Sequence, residues 1–161
     1  MQDYKKLRKP LTKEGHTLLA EEHYQLSRVE RPKVVDGIAT AAAEGDRSEN
    51  AEYIYGKKRL RELDKRLRYL DYLLKDAQII DPKTLSGDRV CFGSTVSVMD
   101  EDGNENVWKI VGEGEADYKV GKISWKSPVA KALYGRKVGD VVLTKRPKGE
   151  IELEILGLTF I

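Results

Sequence analysis

The sequence predicts an α+β protein of two units: an N-terminal antiparallel helical hairpin over residues 1–80 and a small sheet-bearing unit over residues 81–161. Three observations predict it. Leu60, Leu63, Leu67, Leu70, Leu74 and Ala77 recur at spacings of three and four, the seam of a helix lying along a partner helix. After Asp81-Pro82 the apolar period becomes an alternation, as in Thr95-Val96-Ser97-Val98 and Ile151-Glu152-Leu153-Glu154-Ile155, which marks strands with one buried face. Between those runs, Ser127-Pro128 opens a short helix over Val129 to Tyr134 that Gly135 closes, with Ser at the N-cap and Pro at the first helical position.

Taken in order, Thr12 is placed to cap a first helix carrying Leu18, Leu19, Leu26, Val29, Val34, Val35 and Ile38, then Ala39, Ala41, Ala42 and Ala43 towards the turn. Pro32 lacks a backbone donor and is expected to bend this helix. The small alanines allow the two helices to approach closely near the turn, and Gly45 can take a positive φ and end the first helix. Tyr53 and Gly56 continue the leucine register back to the turn, and the second helix is expected to run to about Gln78. Arms of roughly 30 residues would reach about 45 Å at 1.5 Å per residue. In the second half Asp102-Gly103 marks a hairpin turn, Val107 to Val111 returns from it, and Gly149 lies in the turn before Ile151.

Composition bounds the chemistry. The 161 residues are 40% hydrophobic and 35% charged, enough to fold two small units with thin cores. The single cysteine, Cys91 in Val90-Cys91-Phe92, excludes an internal disulfide and reads as a small core residue. Residues 1–10 are basic without the apolar run of a secretory signal, and no stretch approaches membrane-spanning length. A cytoplasmic, monomeric chain with no membrane contact is therefore expected. The net charge of +2 hides an asymmetry. Residues 1–80 hold 17 basic and 14 acidic side chains, and residues 81–161 hold 12 and 13. From Lys57 to Arg68 there are seven basic residues against Glu62 and Asp64, and just before them lies an acidic knot of Glu44, Asp46, Glu49 and Glu52.

Asp46 and Glu49 fit two roles. Two carboxylates three residues apart offer hard oxygen ligands to a divalent cation; the same spacing is that of a capping box at the start of the second helix. The basic stripe also fits two, a track for phosphates or a solvated coiled-coil face. His16 and His23 are seven apart with no cysteine or acidic partner at zinc spacing and read as ordinary helix-surface residues. Gly112-Glu113-Gly114 lacks the third glycine of a dinucleotide fingerprint, and Glu115 and Asp117 would repel a pyrophosphate. No self-contained active site is evident.

The motif Gly45-Asp46-x-x-Glu49-Asn50-Ala51-x-Tyr53 resembles the tip of the Gre transcript-cleavage factors, although Glu44 adds a third acid there. Lys57-Lys58-Arg59-Leu60-Arg61-Glu62-Leu63-Asp64-x-Arg66 is similar to the GreB branch. Ile123-Ser124-x-x-Ser127-Pro128-Val129-Ala130-x-Ala132-Leu133, Gly139-Asp140-x-Val142 and Arg31-Pro32 resemble the rest of the family. The resemblance implies an antiparallel coiled coil followed by an FKBP-like domain. It also implies a role. The second domain docks on RNA polymerase at the rim of its secondary channel through Ser124, Ser127, Pro128 and Ala130. The hairpin enters the channel, and Asp46 and Glu49 help to hold a second Mg²⁺ in the polymerase's own active centre, so that backtracked RNA is cleaved. Lys57, Lys58, Arg59 and Arg61 would contact the displaced RNA 3′ segment. The chain would have no cofactor and no activity of its own. A channel-binding regulator that stimulates no cleavage and a general RNA-binding hairpin are the alternatives. Isomerase activity is not expected, because the aromatic residues Phe92, Trp108, Tyr118, Trp125, Tyr134 and Phe160 cannot be placed around one cavity from the sequence.

Overall fold

The structure, a computed structural model, describes residues 4–45 and 49–161. In chain order its principal elements are β1 (Pro10–Thr12), α1 (Lys13–Tyr24), a π-helical segment (Gln25–Glu30), α2 (Arg31–Ala43), α3 (Ala51–Leu74), β2 (Gln78–Ile80), β3 (Thr95–Asp100), β4 (Glu105–Val111), β5 (Lys122–Ser124), α4 (Pro128–Leu133), β6 (Val141–Arg146) and β7 (Gly149–Thr159). The chain is α+β, with a helical hairpin and a sheet-rich second half. It divides into two compact units, one of Thr17–Lys75 and one made of the residues up to His16 together with Asp76–Ile161.

In the hairpin unit α2 and α3 pack together. Leu63 and Leu70 are fully buried, whereas Leu60, Leu67 and Leu74 are only half-buried. A helix with a single partner covers one line of its surface, so the edges of the seam stay wet. The second helix ends earlier than its leucine register implies. Lys75 leaves helical geometry, Asp76 has a φ of 56°, and Ala77 lies outside α3. The reason is the next three residues. Gln78, Ile79 and Ile80 pair in parallel with Pro10, Leu11 and Thr12, so their backbone groups are committed to a strand. At 24 residues, α3 is about 36 Å long.

The chain departs from regular α-helical geometry at Pro32, which is expected to bend the first helix. An α-helical ladder would bring its ring against the carbonyl four residues earlier. Here the π-helical Gln25–Glu30 precedes it, and the Arg31 N–H donates to the Leu26 carbonyl, five residues back. The wider turn places Pro32 in the first turn of α2, the part of a helix that best tolerates a missing N–H. Close approach of the helices rests on a glycine as well as on Ala41, which is buried. A Cβ on Gly56 would lie 2.7 Å from Ile38 Cγ1.

The second unit holds a five-stranded sheet in the order β5-β4-β3-β7-β6, antiparallel except for the β4–β5 pair. Its core is built from one face of these strands with Phe92 and α4, and Phe92, Val96, Val98, Ile110 and Leu133 have no exposed surface. Ser127 caps α4 by accepting the Ala130 N–H, and Gly135 follows the helix with φ 75°. Cys91 is buried, which raises its thiol pKa. Strand β6 gives no alternation of residue type, since Val141 and Leu143 are exposed while Thr144 is buried.

The unit boundary departs from the expected division at residue 80. The residues before α1 belong with the sheet-bearing half, because β1 is the partner of β2 and all three of its residues are buried. Glu115 secures them. Its carboxylate accepts the Thr12 N–H at 2.9 Å, the Thr12 hydroxyl, and the Gly112 N–H at 2.7 Å. Thr12 in turn caps α1, its Oγ1 accepting from Gly15 N–H at 3.0 Å. The Gly112-x-Gly114-Glu115 segment is thus a turn that aims a carboxylate inward. Gly15 makes the space, since a Cβ there would overlap the Glu115 side chain. We expect Gly15→Ala to displace Glu115 and destabilise the protein by about 1–3 kcal/mol. In denaturant melts, Gly15→Ala should add little to the loss caused by Glu115→Ala, because both remove the same contacts.

Candidate functional site: the acidic turn and the outer face of α3

Seven residues separate α2 from α3, and the capping there differs from the sequence expectation. The N-cap of α3 is Asn50, not an acidic residue. Its Oδ1 accepts the Tyr53 N–H at 3.1 Å, while its Nδ2 donates to the Ala41 carbonyl at 2.7 Å. One side chain therefore satisfies an orphan donor at the start of α3 and adds a second bond to the Ala41 carbonyl, which also accepts the Glu44 N–H at 3.2 Å. Glu49 precedes the cap, lies in the turn and is exposed. The capping box is thus not formed by Glu49, because the position it would occupy at N3 belongs to Tyr53. Asp46 lies outside the described residues. Glu44 and Glu52 are also exposed and flank the turn.

The basic stripe divides into two groups. Arg59 and Arg66 lie on the flank of α3 nearest the first arm and are paired across the hairpin, Arg59 with Glu30 and Arg66 with Glu22 at 2.7 and 2.9 Å. Arg59 also lies 3.7 Å from Glu62. On the opposite flank Arg31 grips Asp64 at 2.8 and 3.4 Å. Hydrogen bonds from these guanidinium groups hold the Glu22 and Asp64 carboxyls below the usual carboxylate range. Arg59, expected to face RNA, is therefore a clamp between the helices. Lys57, Lys58, Arg61 and Lys65 are exposed on the outer side, with no ion-pair partner among the described residues. His23 is more than a surface residue, since Nε2 lies 2.7 Å from Asp71 Oδ1 across the hairpin. The signal for Asn50 was present in the sequence as a cap residue directly before a helical run, hidden by the acids around it.

The residues implied as a docking set lie together around the start of α4, with unequal access. Pro128 is exposed, Ser124 and Ser127 are half-buried, and Ala130 is wholly buried. Ser124 and Ser127 accept the Lys126 and Ala130 N–H groups. Ala130 cannot touch a partner and acts by letting α4 pack on the sheet. Beside α4, Trp108 and Tyr118 line a cavity of about 240 Å³ with Ile123, Val129, Ile151 and Leu153. The Thr144 hydroxyl at its wall has no hydrogen-bond partner among the described residues. Phe92, Trp125, Tyr134 and Phe160 are not in this lining. Among the described residues no three His, Cys, Asp or Glu side chains form a metal-binding group, and no helix is long and apolar enough to cross a membrane.

The exposed Glu49 carboxylate before α3 and the cations on the outer face of α3, without an ion-pair partner among the described residues, are the candidate site of the hairpin. Residues 9–79 match the family described as transcription elongation factor, N-terminal, and residues 85–160 match transcription elongation factor, GreA/GreB, C-term. The chain is 44% identical over 152 residues to transcription elongation factor GreB of Neisseria meningitidis serogroup B, covering 94% of this chain and 93% of that one. It is 46% identical over 155 residues to transcription elongation factor GreA of Anaeromyxobacter sp. (strain K), covering 96% and 93%. A crystal structure of GreA factor homolog 1 from Thermus thermophilus overlaps with a TM-score of 0.43 at 26% identity, over 92% of this chain and 97% of that one, too loosely to argue from. The chain belongs to the GreA/GreB family of transcription elongation factors. Relatives of both names match it about equally well.

The double role of Asn50 is testable. Asn50→Ala should lower stability by about 1 kcal/mol for the cap, with a further loss for the Ala41 carbonyl. Asn50→Asp should keep the cap and lose the second bond. Thermal melts of the two variants should rank wild type above Asp above Ala.

Proposed function

We propose that this chain enters the secondary channel of RNA polymerase and stimulates the polymerase's own endonucleolytic cleavage of backtracked nascent RNA. The observation that carries this reading is the exposed Glu49 carboxylate, released from capping by Asn50, on a turn followed by a cationic helix face. The relatives are named as transcription elongation factors, and family membership supports a target on the transcription machinery. The exposed cations Lys57, Lys58 and Arg61 favour the GreB type within the family.

The chemistry follows from the donors. Glu49, with Asp46 by motif position, offers carboxylate oxygens, and Mg²⁺ bound in the polymerase centre would supply hydroxide and stabilise the leaving oxygen. Two carboxylates make a weak Mg²⁺ site alone, because the ion demands six oxygen ligands and sheds water reluctantly. The hairpin's part is to carry those oxygens in and orient them. Lys57, Lys58 and Arg61 hold RNA phosphates without reading sequence, and Arg59 keeps the two arms together. Pro128 and the half-buried Ser124 and Ser127 present the start of α4 to the rim of the channel.

Stalled, backtracked polymerase provides the test. Asp46→Asn and Glu49→Gln should each reduce stimulated cleavage at least tenfold with polymerase binding retained. Cleavage that survives both changes rejects the carboxylate role, and binding without any stimulation by the unaltered chain would make it a channel-occupying regulator. Replacing Lys57, Lys58 and Arg61 together by Gln should impair cleavage of long backtracked segments more than short ones, as raised salt does. Arg59→Gln should instead lower the melting temperature and affect both lengths alike.

A further inference from the structure

The outer face of α3 does not end with its cations. At 3.6 residues per turn, Lys57, Lys58, Arg61, Lys65, Arg68, Tyr69 and Tyr72 fall within about 60° of one line, opposite the buried Leu63 and Leu70. No acidic residue of α3 falls in that arc. Tyr69 and Tyr72 remain 37% and 46% exposed. The rings stack on each other, with centroids 6.3 Å apart and planes inclined by 26°. Arg66 lies 5.6 Å from the Tyr69 ring centroid and is itself locked by both oxygens of Glu22. Tyr69 is thus contacted by both a fixed guanidinium and the Tyr72 ring, and Tyr72 keeps 46% of its surface exposed.

A row of cations that leads to an exposed aromatic pair is what single-stranded nucleic acid requires. Phosphates follow the charge and a base stacks on the ring, with little dependence on sequence. A paired Tyr at i and i+3 also supports a helix, but that support needs neither the acid-free arc nor the Arg66 backing. We infer that Tyr72, stacked on Tyr69 and backed by Arg66, is a base-stacking platform for single-stranded RNA at the end of the α3 cation track remote from the acidic turn. On the functional reading above, on which the identity of the RNA rests, the platform takes a base of the displaced 3′ segment. RNA long enough to run from the turn along Lys57, Arg61, Lys65 and Arg68 would reach it, and shorter RNA would not.

The experiment needs no polymerase, so its failure is separable from failure of the cleavage reading. The full chain is titrated, with fluorescence anisotropy as readout, against an unstructured oligoribonucleotide and an abasic strand of equal length and charge. The wild type should bind the base-bearing strand about tenfold more tightly than the abasic one. Tyr72→Ala should remove that preference with the salt slope unchanged, and Tyr72→Phe should retain it. Arg68→Gln should weaken both strands and reduce the salt slope by about one. Circular dichroism melts of the variants, unchanged from wild type, exclude loss of the helix. Equal binding of the two strands by the wild type, a preference that survives Tyr72→Ala, or no binding of either strand would each overturn the platform. A chain that stimulates no cleavage yet shows the preference and its loss in Tyr72→Ala would keep the platform and reject the cleavage role.

Discussion

Asn50 stands where one helix has to stop and the next, running back along it, has to begin. Both ends leave polar backbone groups unpaired, and a short exposed turn offers few partners for them. The amide of Asn50 carries both a donor and an acceptor, so one side chain can serve both ends. It accepts from Tyr53 and donates to Ala41, which ties the two helices at the turn. An aspartate could cap but could not donate. Because this amide does the capping, Glu49 is left exposed beside it, as are Glu44 and Glu52, and the functional reading of the turn depends on that division.

The same logic governs charge along the hairpin. An arginine on the flank of α3 reaches the other arm and finds a carboxylate, as Arg59 and Arg66 do with Glu30 and Glu22. Exposed pairs of this kind add little stability each. Their placement on both flanks of the seam, with Arg31 and Asp64 on the other side, fixes the register of two helices whose apolar contact is narrow. Cations that point away from the partner helix have no such outlet. They leave a field on the outer face, and two tyrosines stand in it.

In the sheet-bearing unit, β1 and β2 are three residues each and could not persist alone. Glu115 reaches the Thr12 backbone and hydroxyl, and Thr12 starts α1. A carboxylate from a turn far along the chain thereby secures the first strand and sets where the first helix begins. Two glycines, Gly15 and Gly112, serve this contact by leaving room for it.

The sequence by itself determined the fold class, the hairpin, the capped α4 and the β3–β4 and β7 strands, because these depend on local periodicity, turn chemistry and caps. The family motifs at the turn and at Ser127-Pro128 were legible for the same reason. Three things only the tertiary structure decided. The end of α3 was set by pairing of Gln78–Ile80 with a strand nearly seventy residues earlier, which overrode a leucine register that continued to Ala77. The π-helical segment before Pro32 followed from backbone geometry that residue type does not display. The separation of Arg59 from Lys57, Lys58 and Arg61 followed from which carboxylates the first arm brings within reach. A linear count of charge sees seven cations. Only the packed hairpin distinguishes those that hold the helices together from those left to face a partner, because Coulomb attraction and hydrogen bonding act over a few ångströms of space and not along the chain.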